Sequence, residues 1–375
     1  MKKWAGRLLL MVGAVVFGLL LLEFVVVPMV CPAVRFELPD YRRHHPLIGW
    51  TLEPGAHFTE TVDGQTFEVA YNSRGWHDLE HNLAKPAGVY RIVVLGDSFM
   101  EAYTVPLEQT FARLLEQQLD GKRRVEVINL GVLGYSNLQE CLAFEEFGRR
   151  YQPDLVVLGF YSANDLEENC LELERGVRPH LSKTNQLIPP DHKLRLRPEP
   201  SRFNLGRLSL IMTQGRRLRE SKTHWFYASC CEEPPVYTQA WDETGRIFAR
   251  LATQVRASGA KLAVFTVPDI WQVEPAVAQK ELGLFDDPSI FCLEEAPPNR
   301  RLAGILKELG VECIDLLPDF RHAFRDQGIK LYPSVDTHWN AAGHQLAATR
   351  VAEELRSRGL FPGRSGQSQE ITPGP

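Results

Sequence analysis

The hydrophobic pattern of the chain changes character along its length. Residues 8–30 are almost continuously apolar, Glu23 is the single charge among them, and Lys2, Lys3 and Arg7 precede them. Such a run is close to the ~20 residues that span a bilayer as a helix. Basic residues ahead of it set the N-terminus on the cytoplasmic side. We therefore expect a transmembrane anchor over 8–30, with the rest of the chain extracytoplasmic, in the periplasm or at the cell surface. No small-x-small cleavage site follows the run, and Val30 before Cys31 does not suit a lipoprotein site, so the anchor reads as uncleaved.

The pattern then turns to alternation. In the juxtamembrane segment 31–86, residues 57–72 alternate polar and apolar around Asp63-Gly64. That dipeptide between alternating runs predicts a β-hairpin, and so a small β appendage. From Tyr90 onward, short and nearly uninterrupted apolar runs follow one another at 91–95, 125–130, 155–160, 261–267 and 311–316. Runs of this kind suit strands buried on both faces of a parallel sheet. Between them stand helical spacings: Phe111, Leu114, Leu115 and Leu119; Ile247, Leu251 and Val255; Leu302, Ile305, Leu306 and Leu309. Strands alternating with helices predict an α/β domain over 87–360, a three-layer open parallel sheet of about five strands. Ligands of such sheets bind outside the carboxyl ends of the strands.

One stretch breaks the alternation. Residues 166–236 hold prolines, charges and the adjacent Cys230 and Cys231, with one helical pattern at 205–219 and no clean strand. An insert of this length is expected either to cover the site or to act as a structural cap. The tail 361–375 is rich in Gly, Ser and Pro and is expected to be disordered.

Composition narrows the function. With 44% hydrophobic residues, 24% charged and a net charge of −5, the chain is an ordinary globular one and no nucleic-acid binder. Arg216-Arg217 and Arg300-Arg301 are isolated and read as solvated helix faces. Seven cysteines leave at least one unpaired within the chain, and Cys170 with Cys230 or Cys231 is the pairing that position suggests. No CxxC pair exists, so a cysteine zinc site is unsupported. His44-His45 and His77 with His81 lack matching carboxylate or cysteine partners and read as loop surface. No metal or cofactor is called for.

Four short blocks carry the candidate chemistry. Gly96-Asp97-Ser98 ends the first strand, where a Ser before a helix presents its hydroxyl at the ligand edge and backbone N–H groups can hold an oxyanion. Asn129 to Gly134 ends the second, with Gly131 and Gly134 both allowing close approach of backbone. Ser162-Ala163-Asn164-Asp165 ends the third, and Asn164 offers an amide donor. Asp336-Thr337-His338 follows the fifth strand, with a carboxylate two residues from the imidazole it would orient. Asn340 is placed to cap the last helix, whose Leu346, Val351 and Leu355 face inward, and His344 lies close to His338. Each block alone is compatible with a plain turn or cap. Together they supply a nucleophile, a base, an orienting carboxylate and oxyanion donors at one edge of one sheet.

The text VVLGDSF, NLGVLGYS, YSANDL and DTHWNAAGH resembles the four blocks of the SGNH/GDSL hydrolase family, from about Tyr90 to Leu355 with the insert excluded. The resemblance implies a flavodoxin-like fold, Ser98 as nucleophile, His338 as base and Asp336 as its partner. It also implies an oxyanion hole of the Ser98 N–H, the Gly134 N–H and the Asn164 side chain, with Gly131 the rival glycine. The spacing D-x-H, one shorter than the D-x-x-H of many members, and the Trp339 that follows are similar to envelope polysaccharide O-acetyltransferases of the superfamily. The absence of G-x-S-x-G argues against an ordinary α/β-hydrolase. The leading expectation is a serine esterase acting on an envelope or extracellular acyl ester, of polysaccharide or lipid. An O-acyltransferase using the same residues and a membrane-tethered, non-catalytic binding module are the alternatives.

Overall fold

The computed structural model describes residues 2–30, 41–121, 124–174, 178–190, 226–334 and 336–362. The segment 31–40, the helical pattern at 205–219 and nearly all of the tail 361–375 lie outside the described residues. Contacts divide the chain into two units, residues 1–41 with 195–224 and residues 42–194 with 225–375.

In the first unit the apolar run is helical. An α-helix over Lys2–Leu21 passes into a π-helical turn at Leu22–Val26 and a last α-turn at Val27–Val30. Among the described residues no helix is long and apolar enough to cross a membrane, so the fold lends the expected anchor helical conformation and nothing more.

The second unit is built on five parallel strands: β1 (Tyr90–Leu95), β2 (Val125–Asn129), β3 (Leu155–Phe160), β4 (Lys261–Thr266) and β5 (Glu312–Asp315). Their order in the sheet is β5-β4-β3-β1-β2, the doubly wound order of flavodoxin-like folds. β1 and β3 are buried along their whole length, which is why their sequences are continuous apolar runs. The main helices are α1 (Phe111–Leu119), α2 (Asn137–Glu146), α3 (Pro235–Ala257), α4 (Pro297–Glu308) and α5 (Ala341–Ser357). α1 packs on α5, and α2 packs on α3, as expected of helices on the two faces of one sheet. The inward stripes follow the predicted spacing: Phe111, Leu115, Leu251, Leu302, Leu306, Val351 and Leu355 are fully buried.

Two hairpins precede the sheet within this unit. His57–Val62 pairs antiparallel with Gln65–Ala70 across Asp63 and Gly64, both of which have positive φ, as a two-residue hairpin turn requires. Arg42–His45 pairs with Gly49–Leu52, a hairpin with no alternating apolar signal. Within the insert, Asp165–Asn169 is helical and His180–Leu181 pairs with Leu187–Ile188.

The disulfide joins Cys231 to Cys292, not to Cys170; Cys170 and Cys230 are free, buried thiols. The suggested pairing failed because the segment Ser229–Cys231 runs beside Ile290–Cys292: the Cys231 N–H donates to the Ile290 carbonyl and the Cys292 N–H to that of Ser229. Sequence proximity of the insert's cysteines carried no information about that adjacency.

Candidate active site

The strand order reverses between β1 and β3, and ligands of doubly wound sheets bind at that point, beyond the carboxyl ends of the strands. Ser98 opens the short helix Ser98–Glu101 directly after β1. Asp97 caps that helix through Oδ1, which accepts from the Phe99 N–H at 2.9 Å. The cap turns the chain sharply, and no acceptor among the described residues meets the Ser98 N–H.

His338 and Asp336 arrive from the far end of the chain, 240 residues away from Ser98. His338 Nε2 lies 2.7 Å from Ser98 Oγ, and its Nδ1 lies 2.5 Å from Asp336 Oδ1. The same carboxylate oxygen accepts from the His338 backbone N–H at 2.8 Å. With Nδ1 donating to a carboxylate, Nε2 is the acceptor that faces the serine hydroxyl. Burial pushes the Asp336 carboxyl up, but its hydrogen bonds with His338 outweigh this and hold it below the ordinary value, so it stays ionised beside the imidazole.

The loop bearing these residues is fixed at both ends. Trp339 is fully buried and packs against Phe99, Phe320 and His344, with ring centroids 5.3, 5.2 and 5.5 Å away. Its carbonyl accepts from Thr104 Oγ1 at 3.2 Å. Asn340 caps α5, accepting from the Gly343 N–H at 3.0 Å. On the other side, Ser334 donates its N–H to Asp63 Oδ1 at 3.1 Å, and its hydroxyl bonds the same carboxylate. The tip of the 57–70 hairpin thus holds the histidine loop.

The two glycines after β2 separate cleanly. The Gly131 N–H donates to Asn129 Oδ1 at 3.0 Å, and a Cβ on Gly131 would stand 2.5 Å from the backbone of Met100 and Glu101. Gly131 is therefore a packing glycine with its donor engaged. Gly134 has φ +73°, and among the described residues its N–H meets no acceptor. Its turn is held by Glu101, which accepts from the Leu133 N–H at 2.5 Å and from Tyr71 Oη at 2.7 Å. Trp50 Nε1 reaches the Leu133 carbonyl at 3.3 Å, and Tyr135 Oη donates to the Trp50 carbonyl at 2.6 Å.

Asn164 follows β3. Its Nδ2 lies 3.5 Å from Asp97 Oδ2 and 3.3 Å from Glu168 Oε2. The structure thus collects Ser98, Asp336, His338 and Asn164 at one strand edge, linked through Asp97, and leaves two backbone donors free there. Tyr103 flanks His338 at 5.4 Å between ring centroids.

The loop-surface reading of His77 is corrected. His77 is buried, with Nδ1 2.7 Å from the Glu101 carbonyl, and is a core histidine under the site. His44 and His45 lie on a strand. His344 is buried against Trp339, and burial holds its pKa down at about 3, so it stays neutral. No metal-binding group of His, Cys, Asp or Glu occurs among the described residues. A cavity lined by Ser73, Arg74, Trp76, Leu83, Phe147, Arg150 and Tyr151 shares no residue with this constellation.

The sequence analysis missed Glu101, Asp63, Trp50 and Arg178. Glu101 had one usable signal, a charged residue three positions after the serine in an otherwise apolar turn; Asp63 was visible only as a hairpin-turn residue, and nothing placed Trp50 or Arg178 at the site.

Comparison with known proteins adds a family. The sequence model of the SGNH hydrolase-like domain of acetyltransferase AlgX matches residues 218–375, which include Asp336 and His338 and exclude Ser98. No curated protein matches the chain. Among solved structures it is similar to a catalytic mutant of an acetylxylan esterase from Geobacillus stearothermophilus (14% identity, 73% of this chain and 96% of that one, TM-score 0.42). It is also similar to TesA (13%, 71% and 98%, TM-score 0.39) and to the psychrotrophic esterase EstA from Pseudoalteromonas sp. (11%, 72% and 97%, TM-score 0.39). The family match thus covers the part of the chain that carries β4, β5 and the histidine loop, and the five-stranded sheet around it has the doubly wound order.

Proposed function

We propose that this protein cleaves an acyl ester through an acyl-enzyme on Ser98. The observation that carries the reading is the continuous chain from Ser98 Oγ to His338 Nε2 at 2.7 Å and from His338 Nδ1 to Asp336 at 2.5 Å. Ser98 Oγ attacks the ester carbonyl while its proton passes to His338 Nε2, and Asp336 stabilises the imidazolium. The N–H groups of Ser98 and Gly134 and the Asn164 amide donate to the oxygen that becomes negative. Collapse expels the alcohol, which takes the proton from Nε2 and leaves the acyl group on Oγ. A second hydroxyl, activated by the same nitrogen, then releases it.

When that hydroxyl is water, the protein is an esterase. When it is a sugar hydroxyl, the protein is an O-acyltransferase. The match to the acetyltransferase domain of AlgX and the D-x-H-W text favour the second acceptor. The basic residues ahead of the apolar run 8–30 support a chain tethered to the membrane, with this site on the extracytoplasmic side. Envelope polysaccharide or lipid carrying O-acyl groups is the substrate class that fits such a place.

The test is turnover of 4-nitrophenyl acetate by the protein and by its Ser98→Ala variant, with and without soluble polysaccharide. Release of nitrophenol that falls by several orders of magnitude in the variant supports the serine mechanism. Acetylated sugar formed in proportion to nitrophenol identifies the transferase; free acetate alone identifies the esterase. Equal rates for parent and variant sink the proposal.

A further inference from the structure

Arg178 comes from the insert, outside the family's sheet and helices, yet its guanidinium reaches the turn that carries Gly134. Nε and Nη2 donate to the Gly134 carbonyl at 3.1 and 2.9 Å. Nη2 also donates to Glu168 Oε1 at 2.6 Å, and Nη1 to Glu174 Oε1 at 3.3 Å. The other oxygen of Glu168 accepts from the Asn164 amide at 3.3 Å. Trp50 closes the arrangement, with the guanidinium carbon 5.5 Å from its ring centroid. The Arg178 and Glu168 side chains are only 14% and 13% exposed, so water competes little for these bonds. One planar cation therefore bears on both donors that the serine does not supply itself, directly on the Gly134 turn and through one carboxylate on Asn164.

We propose that Arg178 is the positioning residue of the oxyanion hole, fixing Gly134 and Asn164 relative to each other before the substrate arrives. This rests on the acyl-transfer reading of the site. The physical case has two parts. Gly134 sits in the left-handed region, and its carbonyl is held there by charge-assisted hydrogen bonds, the stronger kind. Glu168 draws the Asn164 amide toward itself, and a Glu168 side chain left without Arg178 would compete for the N–H that the developing oxyanion needs. Arg178 occupies that carboxylate from the other side. Three acceptors around one group require the planar fork of arginine, which an ammonium does not reproduce. Preorganised donors of this kind act on the transition state and leave ground-state binding largely alone.

The experiment compares the parent with Arg178→Met and Arg178→Lys in three readouts: kcat and KM on 4-nitrophenyl acetate, the rate of Ser98 labelling by a fluorophosphonate, and cooperative thermal melting. Phosphonylation also places negative charge in the oxyanion hole, so labelling reports the hole without an acceptor. We expect Arg178→Met to lower kcat and the labelling rate together by roughly 10²-fold, the scale of losing one oxyanion donor, with KM within about twofold. Arg178→Lys should recover part of the loss, to within roughly tenfold of the parent. Should Arg178→Met lose its melting transition, the lysine variant carries the test alone, and a kcat and labelling rate equal to the parent's would overturn the proposal. It is equally overturned if Arg178→Met keeps kcat within about threefold, or raises KM at constant kcat, which would make Arg178 a substrate contact. A parent inert toward both ester and fluorophosphonate overturns the acyl-transfer reading itself, and this inference with it.

Discussion

The carboxyl edge of the sheet and the pieces appended to the sheet divide the labour of this site. The edge supplies Ser98, the turn with Gly134, Asn164 and the loop with Asp336 and His338. The appended pieces supply none of these, yet each touches a loop that carries one. Asp63 of the 57–70 hairpin holds Ser334, and Trp50 of the 42–52 hairpin holds the Leu133 carbonyl. Tyr71 bonds the Glu101 that holds Leu133, and Arg178 holds Gly134. The fold brings reactive groups together at the end of a rigid sheet, and their loops take further bonds from the appended pieces. Their exact geometry comes from outside the sheet. Residues at the edge should therefore decide whether reaction occurs, and residues of the appended pieces how fast.

The sharpest way to break this comparison is at the edge. Asp336→Asn preserves shape but puts a neutral amide, able to donate to Nδ1, in place of the carboxylate that fixes the His338 tautomer and stabilises its imidazolium. We expect kcat on an activated ester to fall by about 10⁴-fold, as loss of a triad carboxylate does, with little change in melting. A loss of tenfold or less would mean that Asp336 is a loop tether, no different in kind from Asp63.

The second test separates two roles within one turn. Gly131→Ala forces a methyl to 2.5 Å from the backbone of Met100 and Glu101, and backbone cannot move aside cheaply. We expect a stability loss of about 3 kcal/mol in urea unfolding. Gly134→Ala meets no atom closer than 3.4 Å but strains a left-handed residue, by about 1–2 kcal/mol. It should fold and lose roughly tenfold in kcat. Identical behaviour of the two variants would erase the distinction between packing glycine and donor glycine.

What the sequence made legible follows the same division. The five strands and the helical stripes repeat with a fixed period, and burial on both faces writes that period as apolar runs such as those of β1 and β3. The serine and asparagine blocks were legible because each sits where a run ends; the histidine block, separated from β5 by the helix Leu317–Arg325, was legible from its own D-x-H-W text. Asp63, Trp50 and Arg178 reach the site loops from positions far apart in the chain: the Asp63–Ser334 bond spans 271 residues, the Trp50–Leu133 bond 83 and the Arg178–Gly134 bond 44. No period marks such a contact. Trp339 was visible as part of a motif, but its work as a buried anchor between Phe99, Phe320 and His344 emerged only from packing. The Cys231–Cys292 bond was missed for the same reason as Asp63, since it joins segments 61 residues apart.

A smaller effect tests the appended side. Asp63→Ala removes the bonds to Ser334 at an exposed position, worth about 0.5–1.5 kcal/mol together. The expected result is an unchanged melting midpoint within a few degrees and a kcat lowered by roughly three- to tenfold, because the histidine loop gains freedom. An unaltered kcat would show that Trp339 and Asn340 hold the loop unaided.

The smallest expected effect concerns pH, and it distinguishes the acids beneath the edge from the one on it. Asp97, Glu101, Glu140, Asp165 and Glu168 are buried carboxyls, and burial pushes every one of them up. Glu168 is raised from 4.5 to about 8 by burial, against the pull of Arg178. In the folded protein these groups keep protons that the unfolded chain releases near the ordinary carboxylate range. The native state then binds more protons from about 4.5 up to about 8, and stability falls as pH rises through that window. Asp336 has the opposite sign: its carboxyl lies below its ordinary 3.8, so its contribution is complete above that value and is lost as pH falls below it. A melting curve should therefore peak at about pH 4, between these two limits, and decline by a few degrees toward pH 8. Asp165→Asn keeps an oxygen to accept from Asn137 Nδ2 and the Tyr161 N–H, now 2.9 Å from Asp165 Oδ2, while removing the titration. That variant should flatten the decline without touching the acid limb. A parent whose melting temperature is level or rising from pH 5 to 8 would show that these acids are already ionised in the folded state, and that the edge works above a charged floor and not a neutral one.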